Sequence, residues 1–228
     1  MATKKSFGEY AHSPCVKIVV GGEDDQQIFH VQKSLLEDKS GFFRACFRSK
    51  LSEALRDEVK LHADKAEDFG SFVNWIYGDI ICIEAMDGPQ LIKLYALSDK
   101  LMCHDLCNAI VDLTRRWYRT NWFVLSDFQL VMELGIQNTT FGQYLIQQLA
   151  FDVNQNFEDE TMGVDWDEFL TLGSKLTQMV IHELVEMKQE ATDGELEDPA
   201  HAEECMWHVH NTRNEEQQCK GLPDEDEE

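Results

Sequence analysis

Near its end the chain reads Cys205-Met206-Trp207-His208-Val209-His210, with Cys219 nine residues further on. Two thiols and two imidazoles form a ligand set that zinc favours in tetrahedral array, and a C-x2-H pair with a more distant cysteine is compatible with that chemistry. His201 stands four residues upstream as a spare donor. The surrounding segment is acidic and has little apolar content beyond Trp207, so a metal could order it by coupling binding to folding. The competing reading needs no ion: Met206 and Trp207 pack on neighbouring helices and the histidines stay solvated. No metal site is assigned on this basis. Cys205, His208, His210 and Cys219 remain a candidate set.

Other chemistry-bearing groups read more plainly. Cys103-His104-x-x-Cys107 puts two thiols one helical turn apart, which is two ligands rather than a zinc site, and cysteine commonly packs as a small apolar residue. His182-Glu183-Leu184-Val185-Glu186 has the start of a zinc-protease helix but lacks its second histidine. Asp165-Trp166-Asp167-Glu168 looks like the end of a calcium loop. Aligning Glu168 with the last loop position, however, puts Phe157 at the first ligand and Met162 at the obligatory glycine, so the ligand geometry fails. Gly21-Gly22 falls in a turn between apolar runs rather than before a helix, so it is not a phosphate cradle. No catalytic residue, cofactor-binding residue or cofactor is expected.

The elements that would carry these groups fall into two styles. Val16–Val20 and Ile28–Val31 are β-branched runs on either side of a Gly/Asp turn, a hairpin pattern. Ser34 to Arg48 changes to helical period and predicts one or two short helices broken near Ser40-Gly41; Glu58–His62 alternates as another strand. Asp64-Lys65-Ala66-Glu67 resembles a capping box ahead of a helix with Phe69, Phe72, Val73, Ile76 and Tyr77 on one face, stopped by Gly78. Ile80–Ile83 is a strand candidate. Leu91, Leu94, Tyr95 and Leu101 mark one further helix, and Leu106, Ile110, Leu113 and Trp117 the next. Beyond them, Ser126-x-x-Gln129, Thr139-Thr140 and Asp165-x-x-Glu168 predict three more helix starts, the last carrying Leu176, Val180, Leu184 and Met187, with no competing strand signal.

Five segments in this order resemble the blocks of a BTB/POZ domain: Ile28–Leu36, Ser40-Gly41-Phe42-Phe43-Arg44, Val59-Lys60-Leu61, Phe72–Gly78 and Leu94–Leu101. The similarity covers roughly residues 15–118 and is nearest to the stand-alone BTB proteins abundant in fungi. It implies an α+β fold, a small sheet capped by helices, followed here by an all-helical C-terminal extension and an acidic tail. The expected divisions are a flexible N-terminus over 1–14, the BTB/POZ-like domain over 15–118, a helical extension over 119–190 and an acidic, largely disordered tail over 191–228.

The resemblance also implies a non-enzymatic protein-interaction module. It would self-associate as a homodimer or dock as an adaptor, with a cullin-type ubiquitin ligase or a transcriptional regulator among the family's partners. Cys82-Ile83-Glu84 fits the apolar-x-Glu triplet of cullin-docking members, and equally a strand end reaching solvent. Two departures weaken the dimer inference. Gln32 stands where the family has His, and Ser13-Pro14-Cys15 where its partner Asp is expected; losing both together avoids leaving one buried group unpaired. Strand-exchanging dimers also carry more chain before the first core strand. Binding residues are expected on exposed parts of the hairpin and of the Tyr95 helix. The alternative reading is a small zinc-binding regulatory protein built on the C-terminal cluster.

Charge narrows the partners. The net charge is -23, and Glu190 to Glu228 holds 14 acidic residues against Arg213 and Lys220. Such a balance repels phosphate backbones and anionic lipid, so other proteins are expected as partners, not nucleic acid or membrane. The opening MATKKSFGEYAHSP lacks an apolar signal core, and seven scattered cysteines are an odd complement for a disulfide scaffold. Cytoplasm or nucleus is the expected location.

Overall fold

The computed structural model describes residues 7–48, 58–78, 81–119, 125–158, 173–191, 195–202 and 205–219. The chain divides into two compact units, Met1–Cys107 and Asn108–Glu228.

The first unit is built on a three-stranded sheet of order β2-β1-β3, with β1 at Cys15–Val20, β2 at Gln27–Gln32 and β3 at Glu58–Leu61. Val16, Ile18, Val19 and Val20 are all buried, which is why this β-branched run takes the central place. β2 returns antiparallel, pairing Val16 with Val31 and Ile18 with Phe29. Gly21 turns the hairpin at φ +102°, where a Cβ would lie 2.9 Å from the Asp25 carbonyl oxygen. β3 pairs parallel to β1, Ile18 against Val59 and Val20 against Leu61. A parallel pair needs a long crossover, and the crossover holds α2 (Lys33–Lys39) and α3 (Gly41–Arg48).

The predicted break between those helices is a buried polar joint. The Ser40 hydroxyl donates to the Leu101 carbonyl at 2.6 Å and accepts the Phe43 amide at 3.2 Å. The Gly41 amide donates to the Met102 carbonyl at 3.1 Å, and a Cβ on Gly41 would come within 3.0 Å of the Met102 Cβ. Ser40 thus caps α3 and ties it to the end of α6 (Gly88–Lys100). Around the joint lies an aromatic core. Phe69 of α4 (Ala66–Ile76) meets Phe29 at a centroid distance of 5.0 Å, Phe72 at 5.6 Å and Phe43 at 6.3 Å.

Several expectations need correction here. α4 starts after Lys65 without a side-chain cap; Asp64 instead takes the Lys100 ammonium on both oxygens at 2.7 Å. The capping box lies at Asp87–Gln90, ahead of α6, where each side chain accepts the other residue's backbone amide, at 2.9 Å on Asp87 and 3.0 Å on Gln90. Ile81–Glu84 is a helical turn, α5, not a strand: an apolar run this short fits either period, and Gly78, at φ +94°, stops α4 just before it. The start of the chain is also more structured than expected: Phe7–Ala11 form α1, and buried Tyr10 donates its hydroxyl to Asp38 at 2.6 Å.

The boundary between the units falls inside α7 (His104–Tyr118). The second unit continues with α8 (Leu125–Glu133), α9 (Thr140–Glu158) and α10 (Ser174–Glu190), and contains no strand among the described residues. α9 is its centre. Phe141, Tyr144, Leu145 and Leu149 are buried as the period implies, and so are Ile146, Ala150 and Val153 on other faces. Thr139 accepts the Gly142 amide at 3.1 Å and caps it. Ser126, by contrast, lies inside α8 and not at its start. α10 begins at Ser174 after Gly173 at φ +92°; the expected start at Asp165–Glu168 lies outside the described residues. Leu176 and Val180 bury as expected. Trp117, placed on the α7 stripe by its spacing, is 47% exposed; Val111, Thr114 and Tyr118 are buried instead.

The segment 191–228 departs from the largely disordered expectation over 195–202 and 205–219. It forms 3-10 turns at Pro199–His201 and Cys205–Trp207 and a short helix, α11, at Arg213–Gln218. Trp207 is 4% exposed, its ring 5.4 Å from that of Tyr144.

Two substitutions test this packing in urea unfolding of the full chain. Ser40→Ala leaves the Phe43 amide and Leu101 carbonyl with one partner fewer in the core and is expected to cost about 1–3 kcal/mol. Phe72→Ala opens a cavity in the aromatic cluster and is expected to cost about 3–5 kcal/mol.

Candidate functional site

One face of α7 organises the C-terminal segment. Asn108, Asp112 and Arg115 lie on it at spacings of four and three, and Arg119 follows just past its end. Asn108 grips the backbone of Val209 from both sides, donating to its carbonyl at 3.0 Å and accepting its amide at 2.8 Å. Arg115 donates to the Ala202 carbonyl, and Arg119 donates to that of Ala200 at 3.3 Å. Arg115 is fully buried, and burial lowers its pKa from the usual guanidinium value. Its Nε and Nη1, the Tyr144 hydroxyl and the Trp207 indole nitrogen find no partner among the described residues. Buried groups of this kind are where ordered water is expected.

The grip on Val209 turns its two histidine neighbours inward. His208 Nδ1 lies 3.1 Å from Cys219 Sγ and 3.4 Å from Cys205 Sγ, and His210 Nε2 lies 3.0 Å from Cys205 Sγ. The four ligand atoms lie within 4.8 Å of one another. His208 Nε2 meets Asp112 Oδ1 at 2.8 Å. A carboxylate only accepts, so Nε2 carries the proton and Nδ1 faces the two sulfurs. Burial pushes the His208 imidazolium down, but the hydrogen bonds to Asp112 and Cys219 outweigh it and lift the pKa above the ordinary value. Four converging soft and borderline donors can hold a transition-metal ion.

The other candidates do not converge. His201 turns to Asp198 at 3.1 Å, outside the cluster. Cys103 and Cys107 are buried, and burial raises both thiols, Cys103 to about 12 and Cys107 further, so they pack as apolar groups. His182 is exposed and pairs with Glu186 at 3.3 Å. The Asp165–Glu168 segment and its calcium-loop resemblance lie outside the described residues.

In the first unit, the two departures named above stand opposite each other: Cys15 is the register partner of Gln32. The Gln32 side-chain oxygen is buried without a partner among the described residues, while Ser13 takes over locally by accepting the Ser34 amide at 3.0 Å. Among the described residues β2 is an edge strand of the sheet, and its Ile28 is 56% exposed. On α6, Tyr95 itself is buried; solvent meets Gln90, Asp99 and Lys100.

The BTB/POZ domain family model matches residues 12–127, just over half of the chain, and the protein belongs to that family. BTB/POZ domains are protein-interaction domains and are not typically catalytic. No curated protein matches the chain. No helix among the described residues is long and apolar enough to cross a membrane.

Asp112, Asn108 and Arg115 were not singled out by the sequence, because their partners lie 87 to 101 residues away. The local hint was a polar i, i+4, i+7 series on one face of an amphipathic helix. Two measurements check the site. Alkylation of the native protein followed by peptide mass mapping should modify exposed Cys15 and spare Cys103 and Cys107 until the chain is unfolded. Asn108→Ala should speed amide exchange at Val209 about tenfold, the loss expected for one hydrogen bond of about 1.4 kcal/mol.

Proposed function

We propose that the protein is a non-enzymatic adaptor, working through its BTB unit by self-association or by docking onto a larger protein assembly. The observation that carries this reading is the family match, which spans the sheet and its helices from just after α1 to the start of α8. The edge position of β2 supports it, since an unpaired strand edge with an exposed apolar residue is a ready template for another chain. The strong negative charge favours protein partners over polyanions. The odd, scattered cysteine complement favours the cytoplasm or nucleus.

Among the family's partners, the cullin triplet gains little support. Cys82 directs its thiol at the Ser71 carbonyl, Ile83 is buried, and Glu84 alone reaches solvent. Replacement of the Asp–His pair by Cys15 and Gln32 likewise leaves the charged dimer groove without its usual members. The surface centred on β2 is therefore the better candidate for contact.

Sedimentation velocity of the full chain, with affinity capture from cell extract, tests the reading through Ile28→Asp. The substitution lies at an exposed position and is expected to leave the melting temperature nearly unchanged. It should weaken self-association or partner capture about tenfold or more. A folded wild-type protein that is monomeric at all concentrations and captures nothing would contradict the proposal, as would an Ile28→Asp variant that binds like wild type.

A further inference from the structure

We infer that Cys205, His208, His210 and Cys219 bind one zinc ion in a closed tetrahedral site that clasps the C-terminal segment, with Asp112 orienting His208 from outside. The inference stands independently of the adaptor reading, because its four ligands lie beyond residue 127 and it makes no use of the β2 surface.

The first support is geometric. Metal–sulfur bonds of about 2.3 Å and metal–nitrogen bonds of about 2.0–2.1 Å at a tetrahedral angle place nitrogen and sulfur ligands about 3.6 Å apart. The observed nitrogen–sulfur separations are 3.0, 3.1 and 3.4 Å, and all four ligand atoms fall within 4.8 Å. Small rotations of the side chains open the cluster to the required size.

The second support is proton bookkeeping. With Nε2 of His208 engaged by Asp112, one Nδ1 faces two sulfurs, and the Cys205 sulfur faces two imidazoles. Each thiol has one proton to donate. The one lone pair of Nδ1 accepts from one thiol at a time, so whichever tautomer His210 adopts, hydrogen bonding serves only one of the two contacts that His208 makes with sulfur. A cation in the centre, with both cysteines as thiolates, satisfies all four groups at once.

The third support lies around the ligands. Metal-bound histidines characteristically give their other ring nitrogen to a carboxylate, and Asp112 takes that role at 2.8 Å. Asn108 fixes the backbone of Val209 between the two histidines, so the site is held on a regular helix. Two sulfurs and two imidazole nitrogens suit zinc and disfavour magnesium or calcium. Four protein ligands leave no open position, so the ion is structural rather than catalytic. It would supply cohesion to an acidic segment in which Trp207 is the principal buried side chain.

The test uses the full chain, purified under reductant. Metal analysis should find one zinc per chain. Cobalt added to the chelator-stripped protein should give the thiolate charge-transfer and intense d–d bands of a tetrahedral sulfur-ligated site. Cys219→Ser and His208→Asn should each weaken zinc binding by about a hundredfold or more. Asp112→Asn should keep the tetrahedral spectrum but weaken binding about 10–100-fold. His201→Ala should bind as wild type. The inference fails if wild-type protein holds no zinc and gives no cobalt spectrum, or if the spectrum is six-coordinate. It also fails if His201→Ala loses zinc like the ligand variants, or if intact mass under reductant shows a Cys205–Cys219 disulfide. The wild-type cobalt spectrum decides the matter even if a variant does not fold.

Discussion

Taking a guanidinium out of water is costly unless its donors find acceptors, and Arg115 sits fully buried on α7. That constraint shapes the second unit. The acceptor that Arg115 reaches is the backbone carbonyl of Ala202, and Asn108 and Arg119 reach Val209 and Ala200 in the same way. A regular helix thus provides a polar face, and an irregular segment provides unpaired backbone groups to match it. With the segment held there, Trp207 can bury against Tyr144, and the thiols and imidazoles on either side of Val209 are drawn together. Packing, backbone satisfaction and ligand convergence are one event rather than three.

The first unit solves a different problem. Its sheet is small, and an aromatic cluster of Phe29, Phe43, Phe69 and Phe72 packs together with the aliphatic side chains of its core. Ser40 lets two short helices turn beneath that cluster without leaving a buried amide unpaired. What the core does not use is the outer side of the hairpin. An edge strand with Ile28 exposed costs solubility unless something covers it, and in an interaction domain that liability becomes the contact.

How far the sequence could be read follows from the range of the interactions involved. The hairpin, the α4 stripe and the central helix α9 were legible because each depends on neighbours within a turn or a strand pair. The break at Ser40-Gly41 was legible through its local cap on Phe43, though not through its tie to Leu101 and Met102. Asp64 and Asp87 show the limit of that approach. Both precede helices, but Lys100 claims the first carboxylate, so only the second caps. The four metal-site candidates were visible as residue types close in sequence. Their convergence was not, since it depends on Asn108 and Asp112 about a hundred residues earlier. The structure formed over 195–202 and 205–219 was hidden for the same reason: the composition is that of a solvated tail, and the partners of these residues lie on α7.

The account rests most heavily on the BTB unit as the part of the chain that touches other proteins. Cross-linking the intact protein in its native extract, followed by mapping of the linked peptides, tests that assignment directly. Intermolecular cross-links are expected to fall within residues 12–127 and to concentrate around β2. Cross-links confined to residues beyond 127, with the BTB unit untouched, would contradict it.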